Sequence, residues 1–506
     1  MSRFAASSVD RRTFLRHAGL AAAWAGAGMS GLAQTATSSF VPIPRPGRQV
    51  RVRGRVHSSG VGLPRVAVTD GLSVVQTGAD GRFTLVASPG QPFVSICVPG
   101  DCEIPLNDTG TARFYQAIAP TPADEMSVEF ALTRRRTPAN HHGFLALPDP
   151  QTRDAEDMGL LHAETVPDVQ RYVASLQGRP TFGVAVGDIM FDNLGLYPEY
   201  ERAVKAMGIP FFQVVGNHDL DFKARSADLA PSTFMQHFGP THYAFDVGAV
   251  HYVVLQDVHY HGTGYVGYVD DRQLQWLDAD LALVEPGRAV VVFLHIPLES
   301  KQWTRDSARR PDTWQCVNNR AAVYDALRRH KAHVISGHTH DNEHVFEGGV
   351  HEHVHGTVCG AWWTGSICHD GSPSGYGAFD VRGESIEWIY KATGQPPEHQ
   401  VRVYAPGADK TAPDELVANV WNWDPKWQVE WIADGAPRGP MARRTGLDPL
   451  AVETMTGPTL PKKNSWAEPG RTDHLFYAPV GASVREVLVK ATDRFGRAYT
   501  ATWRKG

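Results

Sequence analysis

The sequence predicts a layered α/β core with an all-β domain at each end. Three observations predict it. Between about residues 140 and 395, short buried apolar runs (181–186, 210–215, 250–255, 289–294 and 332–336) alternate with segments of helical spacing (198–207, 271–284 and 320–330), as strands and helices stacked in layers do. Residues 50–135 instead alternate β-rich runs (50–56, 65–69 and 82–87) with turns at Ser58-Ser59-Gly60 and Ala79-Asp80-Gly81, the pattern of a small β-sandwich. From 398 to 506 the chain is β-like again, with closing strands near 484–491 and 498–503.

Within the core, the later segments 353–363 and 377–390 read as strands, the second closing the sheet in a hairpin. The C-terminal Trp421-Asn422-Trp423-Asp424-Pro425 is either a carbohydrate platform or buried core, and core is the commoner use of such residues.

Bulk composition narrows the class. A chain of 506 residues is too long for one ordinary core. Hydrophobic residues at 42% and charged residues at 20% describe a globular protein, and a net charge of -5 gives no electrostatic reason to expect nucleic acid. Five cysteines are too few for a disulfide scaffold. Cys97 lies close to Cys102 and Cys359 to Cys368, so short-loop bridges and reduced, buried thiols both remain open.

Residues 1–33 read as an address. Paired Arg11-Arg12, followed by a weakly apolar run and the small-x-small Gly31-Leu32-Ala33, have the form of a twin-arginine export signal. A Pro-rich linker fills 34–49. The expectation is a periplasmic or otherwise exported protein with no stable membrane insertion after signal removal.

The chemistry lies where buried strands run out. Residues 144–147 lead into Asp149-Pro150-Gln151, 184–186 into Gly187-Asp188, and 213–215 into Gly216-Asn217-His218-Asp219. Residues 292–294 lead into His295, and 334–336 into Gly337-His338-Thr339-His340. Singly, a Gly-Asp is a turn and a strand-end His a structural group. Five strands that deliver metal-binding residue types to the carboxyl edge of one sheet layer describe a site.

This series resembles the five motifs of the calcineurin-like metallophosphoesterases, and the flanking β-domains look like those of a bacterial three-domain subgroup. The resemblance implies a metallophosphoesterase core, a β-sandwich flanked by helices, and two divalent ions (Fe, Mn or Zn). Asp149, Gln151, Asp188 and His340 would hold one; Asp188, Asn217, His295 and His338 would hold the other, with Asp188 bridging. An anionic bridge offsets repulsion between dications, while neutral imidazoles and amides avoid excess charge that would repel phosphate. His218 would be the general acid, with Asp219 orienting its ring. The family's first motif usually reads Asp-x-His; Gln151 departs from it and favours iron or manganese over zinc.

Weaker candidates follow. His351, His353 and His355 alternate along one strand face and form a polar face, a supporting network or an extra metal site. Asp192 and Asn193 support the centre or lie in a solvated loop. Trp362, Trp363 and Tyr376 would shape a substrate rim. His141 and His142 precede the first core strand and are expected to be exposed. The expected activity is metal-dependent hydrolysis of a phosphate ester, monoester or diester, on a small molecule or an envelope phospho-compound. The alternatives are a nucleotidase or pyrophosphatase of the same fold, and a non-catalytic envelope-binding protein.

Overall fold

The computed structural model describes residues 42–119, 124–305, 312–461 and 463–506. The export signal expected over 1–33 lies outside the described residues. Among the described residues, no helix is long and apolar enough to cross a membrane.

The core strands are β1 (His141–Leu147), β2 (Thr181–Val186), β3 (Phe211–Val214), β4 (Tyr243–Val247), β5 (Val250–Val254), β6 (Ala289–Phe293), β7 (Lys331–Ser336), β8 (Glu343–Glu347), β9 (Val350–Val354), β10 (Gly375–Arg382) and β11 (Ser385–Ala392). They form two sheets, in the orders β3-β2-β1-β10-β11 and β4-β5-β6-β7-β9-β8. In the first, β1, β2 and β3 are parallel; in the second, β5, β6, β7 and β9 are parallel. Parallel neighbours end on the same edge, so topology gathers the residues after β1, β2 and β3 in one sheet and those after β6 and β7 in the other, and the two groups meet where His295 reaches Asn217.

Both faces of these strands are buried, which is why they read as continuous apolar runs. Phe144 and Ala146 of β1 face the opposite sheet, while Leu145 and Leu147 face helices. Within the first sheet Phe144 stacks on its cross-strand neighbour Phe379 with centroids 4.2 Å apart, and between the sheets Phe212 stacks on Phe245 at 3.7 Å. The helices α1 (Val166–Ser175), α2 (Tyr197–Met207), α3 (Asp271–Leu281) and α4 (Arg320–Leu327) join the strands. The N-terminal region holds two four-stranded sheets, built around Val50–Ser58 and around Phe93–Ile96, and the C-terminal region two more, built around Arg471–Pro479 and Glu486–Thr492. Trp421 is fully buried there, and Arg494 pairs with the buried Asp424 at 2.7 Å.

Three local expectations are corrected. His142 is fully buried inside β1: its Nδ1 donates to Ala139 O at 2.8 Å and its Nε2 lies 2.5 Å from the Tyr252 hydroxyl. Burial pushes its pKa down to about 4, so it is a neutral core histidine. His141 is partly exposed and binds Asp380 at 2.8 Å. Second, the expected strand over 353–363 stops at Val354, after which the chain turns through Trp362 and Trp363, both at positive φ (54° and 61°). Third, Tyr376 stands in the core and does not line a rim. It is fully buried, and its hydroxyl donates to Asp168 Oδ2 at 2.8 Å. All five cysteines are free thiols.

The Asp168 carboxylate ties α1 to the β10–β11 hairpin. It accepts from Lys391 Nζ at 2.8 and 3.0 Å, from Tyr376, and from Gly394 N at 3.0 Å, in a pocket where Lys391 is 3% exposed. Removing one partner strands the other charge in the interior. Asp168→Ala is therefore expected to lower unfolding free energy by about 3–5 kcal/mol, read by urea denaturation; a loss below about 1 kcal/mol would mean that water replaces the carboxylate.

Candidate metal centre

The ends of β1, β2 and β7 turn sharply to present their side chains. Asp149, Gln151, Asp188, His338 and His340 all lie at positive φ (47°, 39°, 46°, 67° and 55°), a region that costs an L-residue about 1–2 kcal/mol. Such strain persists only where the surroundings impose it, and it concentrates at functional sites. The glycines before the donors are there for space. A Cβ on Gly216 would stand 1.9 Å from Asp188 N, and one on Gly337 would stand 2.2 Å from Asp149 Oδ2.

The donors converge. Asp188 Oδ1 lies 3.3 Å from His295 Nε2, which lies 3.1 Å from Asn217 Oδ1 and 3.2 Å from His338 Nδ1. Asp149 Oδ1 lies 3.6 Å from His340 Nε2. The two halves join where Gln151 Nε2 donates to Asp188 Oδ2 at 2.8 Å. Asp149, Gln151, Asp188, Asn217, His295 and His340 are buried; His338 is half-buried.

Each of the three imidazoles has one nitrogen tied to a backbone carbonyl. His295 Nδ1 donates to Val186 O at 3.0 Å, His340 Nδ1 to Gly360 O at 2.9 Å and His338 Nε2 to Trp314 O at 3.0 Å. The opposite nitrogen of each ring then faces the cluster as its lone-pair atom, the arrangement that holds a metal-ligating histidine in its tautomer. Two carboxylates, an amide oxygen and three oriented imidazoles fit a pair of divalent transition ions. Gln151 fits less directly: its Nε2 faces Asp188 and its Oε1 lies 3.7 Å from Cys359 Sγ. For the oxygen to bind an ion, the amide must turn over about its last torsion.

Electrostatics agree with a cation site. Burial drives the Asp149 carboxyl up, to about 8, with Asp188 adding to the rise. Burial likewise holds His338 down to about 3 and His340 to about 4, as neutral donors. At His295 burial opposes charge, but Asp188, Asp149 and Asp257 outweigh it and raise the ring's pKa, so these carboxylates favour a positive charge at this place.

His218 stands beside the cluster. Its backbone N–H donates to Asp188 Oδ1 at 2.8 Å, its Nδ1 lies 2.7 Å from Asp192 Oδ1, and its ring stacks on Phe191 with centroids 4.3 Å apart. The expectation that Asp219 orients this ring is corrected. Asp219 is buried and accepts from the N–H groups of Ile189, Met190 and Gly216 and from the Tyr197 hydroxyl, all at 2.9–3.0 Å. It clamps the β2 loop to the β3 loop, and Asp192 is the carboxylate that meets His218. Asn193 lies away from the centre, its Nδ2 donating to Arg153 O at 3.0 Å.

Trp362 stacks on His340 with centroids 4.5 Å apart and also meets Trp466 at 4.5 Å. Trp363 Nε1 donates to Pro150 O at 2.9 Å, pinning the loop that carries Asp149 and Gln151. Two residues of the centre escaped sequence reasoning. Asp257, fully buried after β5, accepts from His295 N at 3.2 Å, and its only sequence signal is a strand that ends in an acid. Cys359, which the sequence left open as a bridged or a reduced thiol, lies 4.0 Å from His340 Nδ1.

Comparison with known proteins decides the family. The calcineurin-like phosphoesterase model matches residues 141–342, and the models for the N-terminal and C-terminal regions of calcineurin-like phosphoesterase match 50–135 and 352–499. The chain belongs to the calcineurin-like phosphoesterases. This family uses a dinuclear divalent metal site. Among curated proteins, the phosphoesterase is 27% identical over 136 residues to the serine/threonine-protein phosphatase CPPED1 of Homo sapiens and to that of Pongo abelii. The match covers 25% of the chain and 43% of either relative, so the chain spans less than half the length of the curated relatives it matches. Among solved structures it is similar to a dimetal phosphatase from Danio rerio (16% identity, TM-score 0.35, 51% of this chain and 97% of that one). It is also similar to the purple acid phosphatase PPD1 of yellow lupin (12%, TM-score 0.36, 65% and 67%).

The close approach at Gly216 gives a direct test of the centre. Gly216→Ala forces Asp188 to shift, so metal affinity of the phosphoesterase is expected to fall on the order of 10–100-fold, measured by equilibrium dialysis and elemental analysis. Unchanged affinity in the folded variant would show that Asp188 is not held where the ions bind.

Proposed function

We propose that this phosphoesterase is a metal-dependent hydrolase of phosphate esters that works with two divalent ions. Asp149, Gln151, Asp188 and His340 hold one ion, and Asp188, Asn217, His295 and His338 the other. The observation that carries this reading is the set of three imidazoles, each with one nitrogen held by a backbone carbonyl and the other turned into the cluster, His295 toward Asp188 and Asn217, His340 toward Asp149 and His338 toward His295. When bound, such an ion pair polarises the phosphoryl group and makes water acidic enough to attack near neutral pH.

The chain's own residues do the rest. Asp188 spans the two halves through its two oxygens, one toward His295 and one toward Gln151. His218 carries the proton that the leaving oxygen needs. Asp192 holds its Nδ1, which leaves Nε2 as the working edge, and Phe191 fixes the plane of the ring. Asp219 keeps the Asp188 and Asn217 loops in register, and Trp362 packs over His340 where a leaving group would be received.

The substrate is a phosphate-ester small molecule or envelope phospho-compound. The setting is outside the cytoplasmic membrane, a reading supported by the paired Arg11-Arg12 and the apolar run after them. Lysine at both arginine positions is expected to leave the protein in the cytoplasmic fraction; unchanged export would refute the signal.

The activity is tested with p-nitrophenyl phosphate and bis-p-nitrophenyl phosphate, with manganese added and with chelator. Metal-dependent turnover of at least one ester is expected, and turnover of neither by metal-loaded protein would favour a non-catalytic binding protein. His218→Ala should lower turnover by about 10²–10⁴-fold with metal content intact, and Asp192→Asn by a smaller factor. Loss of metal from His218→Ala would make His218 a ligand instead of an acid.

A further inference from the structure

A second concentration of histidines lies within the second core sheet, on β7, β8 and β9. His333 of β7, His344 of β8, and His351 and His353 of β9 meet beneath Trp388 of β11. Register brings them together: His333 is opposite His351 on parallel β7 and β9, and His344 opposite His353 on antiparallel β8 and β9. His333 lies on β7 and His338 two residues past its end, which at ~3.3 Å per residue puts these two at most roughly 16 Å apart.

Space between two sheets is normally filled by apolar side chains. Here the ring nitrogens of His333, His351 and His353 lie within 4.8 Å of one another. His333 Nδ1 is 3.0 Å from His353 Nε2, and His344 Nδ1 is 3.0 Å from His351 Nε2. Ligand nitrogens around a tetrahedral ion with bonds of about 2.0–2.1 Å stand about 3.3 Å apart, so the His333–His353 pair already has nearly that spacing.

A relay orients His351. Asn422 Oδ1 accepts from His344 Nε2 at 3.0 Å, so His344 Nδ1 accepts from His351 Nε2 and the lone pair of His351 is on Nδ1. The internal bonding is also incomplete. His353 is fully buried, and among the described residues its Nδ1 has no partner, which costs about 1–3 kcal/mol while it stays unpaired.

We propose that His333, His351 and His353 bind a further metal ion, distinct from the phosphoesterase pair, with His344 fixing the orientation of His351. An all-imidazole donor set selects late first-row ions, zinc foremost, over magnesium, calcium or manganese. Arg494, whose guanidinium lies 5.1 Å from the Trp388 and Phe346 rings, is a cation near the site, and the buried Asp424 offsets it at 2.7 Å. Burial, with Arg494 and then His344 adding to it, holds His333 down to about 4, and burial with the neighbouring histidines holds His353 well below its usual value, so both are unprotonated donors at neutral pH. His333 is half-buried and Phe346, stacked on His351 at 4.2 Å, is exposed, which gives an ion a way in.

The test is zinc stoichiometry of the full chain, titrated against a chromophoric chelator, for the natural sequence, His351→Leu and the half-buried His333→Gln. Circular dichroism confirms which variants are folded. Each folded variant is expected to bind one zinc fewer than the natural chain. Turnover of p-nitrophenyl esters should stay within about twofold, because neither residue touches the phosphoesterase centre. Equal stoichiometry in the natural chain and a folded variant overturns the proposal. So does a variant that loses all its zinc while remaining folded, since the cluster would then be only a support of the first centre.

Discussion

The left-handed backbone at the strand ends is the constraint on which the centre depends. A β-strand delivers its side chains alternately to its two faces, and in this core both faces are occupied by aromatic packing or by helices. A donor that must point off the end of the strand, toward neither face, has to leave the β-region abruptly. Asp149, Gln151, Asp188, His338 and His340 do so at positive φ. Backbone carbonyls and buried carboxylates hold them there, among them Gly360 O on His340 and Asp149 on His338 N. The strain is distributed over loops that share partners, so disturbing one donor disturbs its neighbours.

Much of this was legible in the sequence because the physics is local. A buried parallel strand needs an unbroken apolar run, and a run that gives way to Asp, Asn or His, directly or after a Gly or Pro, has no apolar reason to stop there. That logic found β1, β2, β3, β6 and β7 and the residues after them. What it could not find depends on partners far away in the chain. Asp219 and Asp192 look alike on paper; only the fold shows Asp219 collecting three backbone N–H groups while Asp192 meets His218. His142 is buried because Tyr252 of a different sheet reaches it, and Tyr376 because α1 supplies Asp168. No periodicity records either contact.

The outer β-regions are tied to the core by polar contacts of the same kind. Arg305 is buried against Asp341, one residue past His340, and against Glu343 and Asp473. Arg153, next to the Gln151 loop, donates to Asn464, which in turn donates to the Trp362 carbonyl. The C-terminal segment thus braces both the last histidine motif and the aromatic wall over it. Trp362 is held at a positive φ that a free loop would relax.

The most direct measurement of the central claim is a crystal structure of metal-loaded protein with anomalous scattering recorded at the metal edge. Two peaks about 3.5–4 Å apart, with Asp188 between them, are the predicted result. A single peak, or peaks not in contact with Asp188, His295 and His340, would contradict it.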